Sequence, residues 1–577
     1  MRASILPCAP QQLTPVARRA PDIHKAKQSL QTRRVRIDDN RMRFAHASLS
    51  PAIWNRCMRV RSLACSVIFA GALAGCALGP DYLAPDAGVP AKFVSAPAGN
   101  QAQSGGASPG LWSWWRTLRD PQLNRLIDRA IGNNLDLKIA LDRLQQARLQ
   151  LVVIGAQALP DVNGSAGGGV GTGTDETRGR AAQVLRDGDN AQGLKKISEI
   201  GGLDAEWQID IFGKIARRFE AQIYTAEALR EARNWVYVVI AADVARLYFD
   251  LRVRQERLQI LYRDIEASRK VLDLAQTRLD RGLTNELDVL LAKRQVETLR
   301  ADVEPLKALI AANGYAIAVL VGEYPEAIAR ELRRRGPIPQ LPARPPVGLP
   351  VDLLRRRPDI LEAERLLAAA VATIGARTAD LFPTVGITAG GGAQGGPRAP
   401  GPTVPITWIG SVGPTFNAPI LDFGALDALI EIEDYHAHEL ATVYKQTILV
   451  AVQQVDEANA AYLGFRQSVR SLDLALDAAR QATKVATERY DRGLTDFLNV
   501  LDAERQQFAL EQQRAEVIRL EGDSFVALYK ALGGGWPPNQ IIPPIRHPDP
   551  AVVAAVKRLA QDPPHPPPPP PPPGLVP

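Results

Sequence analysis

Apolar residues recur every seven positions through two long stretches of the chain. The first repeat begins at Leu251 and the second at Tyr462. A sustained seven-residue repeat is typical of helices that supercoil around one another. It predicts two long coiled-coil helices over 214–281 and 425–492, and neither range contains proline. The repeat positions are Leu251, Leu258, Ile265, Leu272 and Leu279, then Tyr462, Val469, Leu476, the polar Thr483, and Tyr490.

Each long helix is followed by the same short turn. The sequence Gly-Leu-Thr occurs at 282–284 and again at 493–495, and a second apolar-periodic stretch follows each time. Gly282 and Gly493 suit a tight turn because glycine accepts a positive φ. Each chain segment is therefore predicted to return as a helix antiparallel to the first. Pro305 should kink the first return helix.

Four short segments rich in glycine, valine, isoleucine and threonine lie between the helical regions. Their length suits membrane strands, which need about nine to eleven residues. Trp207, Phe212, Trp408 and Phe416 would then suit the headgroup level. Because glycine weakens strands, two β-hairpins on the surface of a soluble protein are the alternative. The segments are 161–171, 202–212, 384–392 and 408–421, which form hairpins over 161–212 and 384–421.

The body of the chain is a tandem duplication. Leu-Asp-Arg-Gly-Leu-Thr at 279–284 recurs as Tyr-Asp-Arg-Gly-Leu-Thr at 490–495, and the same offset relates Phe-Gly at 212–213 to Phe-Gly at 423–424. Several anchors at one offset indicate two copies of one structural unit. The predicted fold is mainly α with a small β part. Its parts are an N-terminal segment 76–119, a first repeat 120–336, a proline-rich linker 337–350, a second repeat 351–536 and a proline-rich tail 537–577.

Basic charge and sulfur are concentrated at the N-terminus. Residues 1–75 hold 13 of the 69 Lys and Arg but only 3 of the 62 Asp and Glu, and no cysteine follows Cys76. From Met58 a charged start, an apolar run and Leu-Ala-Gly-Cys have the layout of a signal peptide over 58–75. The preceding residues 1–57 are interpreted as an upstream extension from a misassigned start. A genuine leader is the alternative.

Leu-Ala-Gly-Cys also resembles the bacterial lipobox. This resemblance implies that Cys76 is lipidated and becomes the first residue of the mature protein. Ala77 follows the cysteine, in place of the aspartate that tends to retain lipoproteins at the inner membrane, so the outer membrane is favoured. An ordinary signal peptide with a chance cysteine is the alternative.

The composition of the body argues against several functional classes. Beyond residue 75 the chain has 56 basic and 59 acidic residues, which is unlike a nucleic-acid-binding body. A body without cysteine excludes disulfide frameworks and thiolate metal sites. His436 and His438 are two apart, so on a helix they point to different faces and chelate poorly. We therefore expect no enzyme, no catalytic residues, no metal and no cofactor.

Five motifs together resemble the outer-membrane factors of tripartite efflux pumps, the TolC-like and NodT-type lipoproteins. The resemblance spans about 76–536 and implies a homotrimer, in which four strands per chain form a twelve-stranded barrel and the helices form a periplasmic tunnel. Physical reasoning agrees, because four strands leave open edges that lipid cannot satisfy. The motifs are Gly-Pro-Asp-Tyr at 79–82, Trp-Ser-Trp-Trp-Arg at 112–116, Trp-Gln-Ile-Asp-Ile-Phe-Gly at 207–213, Leu-Arg-Arg-Arg-Pro-Asp at 354–359 and the two Arg-Gly-Leu-Thr turns.

The resemblance also implies partners and functional residues. The partners are a periplasmic adaptor protein, an inner-membrane pump and outer-membrane lipid held through Cys76. The helix turns would be the adaptor-contacting tips, Arg281, Gly282, Leu283, Thr284, Arg492, Gly493, Leu494 and Thr495. Residues just beyond them would form a periplasmic gate, with Tyr490 bonded to Asp288, and with Asn499 and Asp502 near the threefold axis. Asn499 stands where relatives carry an acid, and Asp496 where some carry an arginine.

Two functions compete at this point. The first is a passive exit duct for small molecules that works with the adaptor and pump. The second is a lipid-anchored periplasmic coiled-coil scaffold without a pore. Conductance by purified trimers separates them, because only the duct passes ions.

Overall fold

The computed structural model describes most of the body of the chain. It covers residues 77–95, 111–171, 196–343, 350–395 and 406–536, all within the unit Leu73–Pro577. The extension 1–57, the signal peptide 58–75, Cys76 and the tail 537–577 lie outside the described residues.

The first repeat begins with two helices, α1 (Pro121–Asn133) and α2 (Leu135–Ala156). Asn134 starts the second helix, because its side chain accepts hydrogen bonds from the amides of Asp136 and Leu137. The remaining elements are the strands β1 (Asp161–Gly171) and β2 (Lys196–Ile209), the long helix α3 (Lys214–Asp280), the return helices α4 (Glu286–Ala301) and α5 (Val303–Val321), and α6 (Pro325–Leu332).

The second repeat has the same order, which confirms the duplication. Its long helix has 67 residues, the same length as α3. Its elements are α7 (Pro350–Arg356), α8 (Pro358–Thr378), β3 (Thr384–Gly395), β4 (Ile406–Asn417), the long helix α9 (Ala425–Asp491) and the return helix α10 (Phe497–Ala531).

The two long helices pack as the seven-residue repeat predicts. Leu251 and Ile265 of α3 are buried, as are Tyr462 and Leu476 of α9. At 1.5 Å per residue each helix spans about 100 Å. Each long helix therefore places the strands that precede it about 100 Å from the turn that follows it.

The predicted kink at Pro305 is confirmed as a break between α4 and α5 at Asp302. Proline lacks the amide hydrogen that would bond the carbonyl of Ala301, and its ring crowds that carbonyl. By length and composition Glu286–Val321 is apolar enough to cross a bilayer. It packs along α3, however, so those two properties alone do not make it a membrane span.

The four strands form one antiparallel sheet in the order β1-β2-β3-β4. The existence of all four strands was predicted, but the boundaries of three strands were wrong. β2 begins at Lys196 and ends at Ile209, β3 ends at Gly395 and not at 392, and β4 runs from Ile406 to Asn417. The extra residues of β2 include Glu199, which pairs with Gly395 of β3. Pairing with the neighbouring strand thus extends β2 beyond the segment that its own sequence favours.

The largest core cluster lies about midway along the long helices. Trp114 is fully buried there and stacks on Tyr529 of α10 with ring centroids 5.1 Å apart. Phe525 contacts both Trp114 and Tyr462 of α9. Arg357 is also buried and donates to Asp359, to Gln454 and to the carbonyl of Ala531. The ring contacts of Trp114 tie the second repeat to the short segment that precedes α1.

Candidate functional site: the membrane sheet and the hairpin tips

The sheet has one apolar and one polar face. On β4, Trp408, Val412 and Phe416 alternate with Ser411 and Thr415, and alternate residues of a strand point to opposite faces. Register carries the apolar face across the sheet, since Phe416 pairs with Val385, Val412 with Ala389, and Leu203 with Gly391. The polar face carries Asp161, Asn163, Asp204, Glu206, Thr388, Ser411 and Thr415.

The apolar face is exposed in the single chain. Trp408 is 80% exposed, Val412 78%, Phe416 70% and Leu203 63%. A contiguous exposed apolar patch on this scale marks a surface that meets lipid or another protein. Trp207 differs, because its indole nitrogen donates to the carbonyl of Ala158 and holds the base of β2 against the end of α2.

The two hairpin tips have the same backbone structure. Gly282 has φ +68° and Gly493 has φ +73°. The Gly282 amide donates to Leu279 and the next amide donates to Arg278, each at 2.8 Å, and the second tip repeats both bonds. This is the left-handed glycine ending that commonly closes a helix, so the turn needs glycine at both tips.

The predicted adaptor-contacting residues lie together at these tips. Leu283 is 60% exposed and Leu494 is 62% exposed. Sequence reasoning missed the exposed leucines that continue the same surface on α4 and α10. They follow each tip on the next helical turns, a spacing that the sequence displays. They are Leu287, Leu290 and Leu498.

The predicted gate residues Asp288 and Tyr490 lie in one neighbourhood, together with Thr284. The Thr284 hydroxyl donates a short hydrogen bond to the Asp288 carboxylate. The Tyr490 hydroxyl is buried beside Thr284 and Asp288. Its pKa is raised, first by burial and also by the nearby Asp288 charge, while Thr284 and Arg278 lower it.

At the second tip the corresponding pair of side chains has donor and acceptor exchanged. The Asn499 side-chain amide donates to the Thr495 hydroxyl at 2.8 Å, where the first tip has Thr284 donating to Asp288. Asn499 and Asp502 are exposed on α10. The structure thus brings Asp288 and Tyr490 together and leaves Asn499 and Asp502 facing away from the packed core.

Tyr490 is held by the packed end of the coiled coil. It is 3% exposed and lies edge-on to Phe497, with ring centroids 5.5 Å apart. Sequence reasoning missed the residue that covers its ring, Arg278, although the duplicated Arg at 278 and 489 was a visible signal. The rest of the cluster is Val271, Ala275, Ala292, Val500 and Leu501.

Histidines and acids do not assemble into a metal site in the described part of the chain. His436 lies 3.4 Å from Glu439, and His438 lies beside Tyr435 on the exposed surface of α9. Their surroundings are those of solvated helix residues.

Comparison with known proteins decides the family. A model of the outer membrane efflux protein family matches residues 126–323 and 349–534, one stretch in each repeat. The chain belongs to the outer membrane efflux protein family. The solved outer-membrane channel OprN is similar over 80% of this chain and all of its own, at 32% identity and a TM-score of 0.70.

Curated relatives from the same family align with about four fifths of this chain. The antibiotic efflux pump outer membrane protein ArpC of Pseudomonas putida is 30% identical over 82% of this chain and 96% of its own. Nodulation protein T of Rhizobium leguminosarum bv. trifolii is 27% identical over 81% of this chain and 96% of its own. The resemblance drawn from the motifs is confirmed.

Proposed function

We propose that this chain is one third of an outer-membrane exit duct, which passively conducts small molecules delivered by an inner-membrane pump and a periplasmic adaptor. The observation that carries the proposal is the two-faced sheet. An apolar face with Trp408 and Phe416 fits lipid, and a polar face with Asp204 and Glu206 fits a water-filled lumen.

Closure of the sheet requires other copies of the chain. β1 and β4 each have one unpaired edge among the described strands, and an open edge is not tolerated in hydrocarbon. Pairing β4 of one copy with β1 of the next removes every edge. Three copies give a twelve-stranded barrel, in keeping with the family, and the long helices then continue the barrel as a tunnel into the periplasm.

Cysteine crosslinking between the strand edges tests this proposal. Three double variants are made. In each, cysteine replaces Ser165 of β1 together with one residue of β4, which is Ile409, Ser411 or Gly413, and the other cysteine of the mature chain is Cys76. One register should yield covalent dimers and trimers in outer membranes. Each single-cysteine variant is the control. Protein that reaches the membrane but crosslinks in no pairing would favour the scaffold without a pore.

We also propose that Cys76 is acylated and that translation from Met58 suffices. The residues after Cys76 are held at the start of α3, where buried Arg217 donates to the carbonyl of Leu78 at 3.0 Å and to Asp81 at 2.7 Å. Two or more acyl chains there would anchor stably. Mass spectrometry should find an acylated N-terminal Cys76. An unmodified peptide that crosses residues 75–76 in membrane-assembled protein would contradict lipidation.

The tips are proposed to dock the adaptor and to carry the gate. The exposed Leu283 and Leu494 supply apolar contact for hairpin tips of the partner. Tyr490→Phe combined with Asp288→Ala should raise single-channel conductance, because both polar groups of the packed contact are removed. Asp502→Ala should lower cation selectivity, since like charges near the threefold axis favour cations. Recordings that show neither change would remove the gate assignment and leave the duct untouched.

A further inference from the structure

A cavity lies where two helices of the second repeat meet end to end. α8 packs between the long helices α3 and α9 on the side of the sheet, and α10 packs between the same helices on the side of the tips. Arg357 lies at this junction and donates to the carbonyl of Ala531, the last residue of α10, at 3.1 Å. The cavity beside the junction has a volume of about 580 Å³ and is lined by residues of α3, α9 and α10. Sites for small organic molecules have volumes of this size.

The cavity lies on the opposite side of α10 from the Trp114 segment. Phe525 and Tyr529 of α10 contact the Trp114 ring. Ala527 lines the cavity and is two residues from each of them, so at 3.6 residues per turn it points to the other side of the helix. In the proposed duct the Trp114 segment lies outside, because it would obstruct the tunnel if it lay inside. The cavity therefore opens into the tunnel.

The wall of the cavity combines one large aromatic ring with small side chains. Trp235 of α3 is half-buried, and the guanidinium carbon of Arg357 lies 5.2 Å from the centroid of its ring. The ring thus already contacts one cation, as the negative face of an indole favours. An indole beside side chains that leave room suits a flat apolar ligand. The small residues are Ala458, Ala461, Ala527 and Ala531.

The charged residues of the lining favour a positive ligand. Glu457 of α9 is exposed and pairs with no charged group in the described part of the chain. Asp523 of α10 is paired through one oxygen, since its Oδ2 accepts from Arg519 while its Oδ1 has no hydrogen-bond partner. The basic residue of the lining is Lys530. Two carboxylates therefore act against one ammonium group.

We propose that this cavity binds flat aromatic cations during their passage through the tunnel, with Trp235 contacting the ring system and Glu457 pairing with the positive charge. The inference rests on the proposed duct and adds a class of cargo to it. Lys530 opposes such a ligand, because like charges repel. A contact that is weakened in this way suits a conduit, since a ligand that is held too tightly does not leave.

Equilibrium dialysis of ethidium, a flat aromatic cation, against trimers in phosphatidylcholine nanodiscs tests the cavity. Glu457→Gln should raise the Kd for ethidium about tenfold, because a charge-assisted contact is lost. Trp235→Leu should raise it about threefold through loss of the ring contact. Lys530→Gln should lower it, because a repelling charge is removed. Asp434→Asn removes an exposed carboxylate of α9 about 35 Å from Glu457 along the helix and should match the wild type.

The outcomes separate the cavity from the duct. Conducting trimers that bind ethidium equally well in the wild type and in Glu457→Gln would overturn the cavity while the duct stands. Equal weakening in Glu457→Gln and Asp434→Asn would also overturn it, since that result reflects the charge of the whole tunnel. Trimers that never conduct would overturn the duct itself. If Glu457→Gln fails to form trimers on native electrophoresis, Lys530→Gln decides, and unchanged or weaker binding in its assembled trimers would overturn the cavity.

Discussion

Neutralising one buried acid in the coiled coil should change how the stability of the protein depends on pH. Asp264 of α3 is 3% exposed, and its Oδ2 has no hydrogen-bond partner. Burial raises the pKa of its carboxyl to about 7, with further increases from Glu511 and Glu504 of α10 and decreases from Arg263 and Arg480. Burial also raises the pKa of Glu504 to about 7.

The sign follows from the direction of these shifts. The folded chain holds the Asp264 proton more tightly than the unfolded chain, so its contribution to stability is fully present below the ordinary pKa of 3.8 and is lost as pH rises through about 7. A difference of roughly three pKa units corresponds to an upper bound of about 4 kcal/mol per carboxyl. The wild type should therefore be less stable at pH 8 than at pH 5.5.

Thermal unfolding of detergent-solubilised protein, followed by circular dichroism, measures the effect. Asp264→Asn should raise the apparent melting temperature at about pH 8 and flatten its decline between about pH 5.5 and pH 8. Asp273→Asn changes an exposed carboxylate on the same helix and is the control. A pH dependence that is equal in Asp264→Asn and in the wild type would refute the reasoning.

Further predictions concern three glycines. Gly522→Ala should lower the apparent melting temperature, because its Cβ would lie 2.1 Å from the Phe249 ring and overpacking costs about 1–3 kcal/mol. Gly314→Ala, with no atom of another element within 4 Å of its Cβ, should instead raise the apparent melting temperature, because the higher helix propensity of alanine adds up to about 1 kcal/mol to the free energy of unfolding. Gly493→Leu forces a side chain into φ +73° and should abolish pump-dependent efflux while trimers persist; unimpaired efflux would count against adaptor docking at the tips.

Sequence periodicity predicted the helical part of the fold because the signal is long. Ten positions spaced by seven residues specify both α3 and α9, and glycine and proline mark where the helices turn or break. The strand boundaries were harder to predict. The start of β2 at Lys196 is set by pairing with Gly171 of β1, and from Glu199 onward β2 also pairs with β3, which is remote in sequence, so its own residues carry no local signal for the start.

Sequence reasoning predicted those parts of the candidate site that are formed by one short turn of the chain. Gly282 and Gly493 have the positive φ that the turn sequence requires. Arg278 was missed because it acts on carbonyls more than two hundred residues away. Asp264 was missed because a lone acid in a heptad pattern resembles a solvated one, and its burial depends on how α10 packs against α3.

Single-channel recording of purified wild-type trimers in planar lipid bilayers tests the central claim most directly. The two-faced sheet and the long helices predict discrete, cation-selective conductance steps. Trimers that insert into the bilayer yet pass no current in any state would contradict the duct and favour a scaffold without a pore.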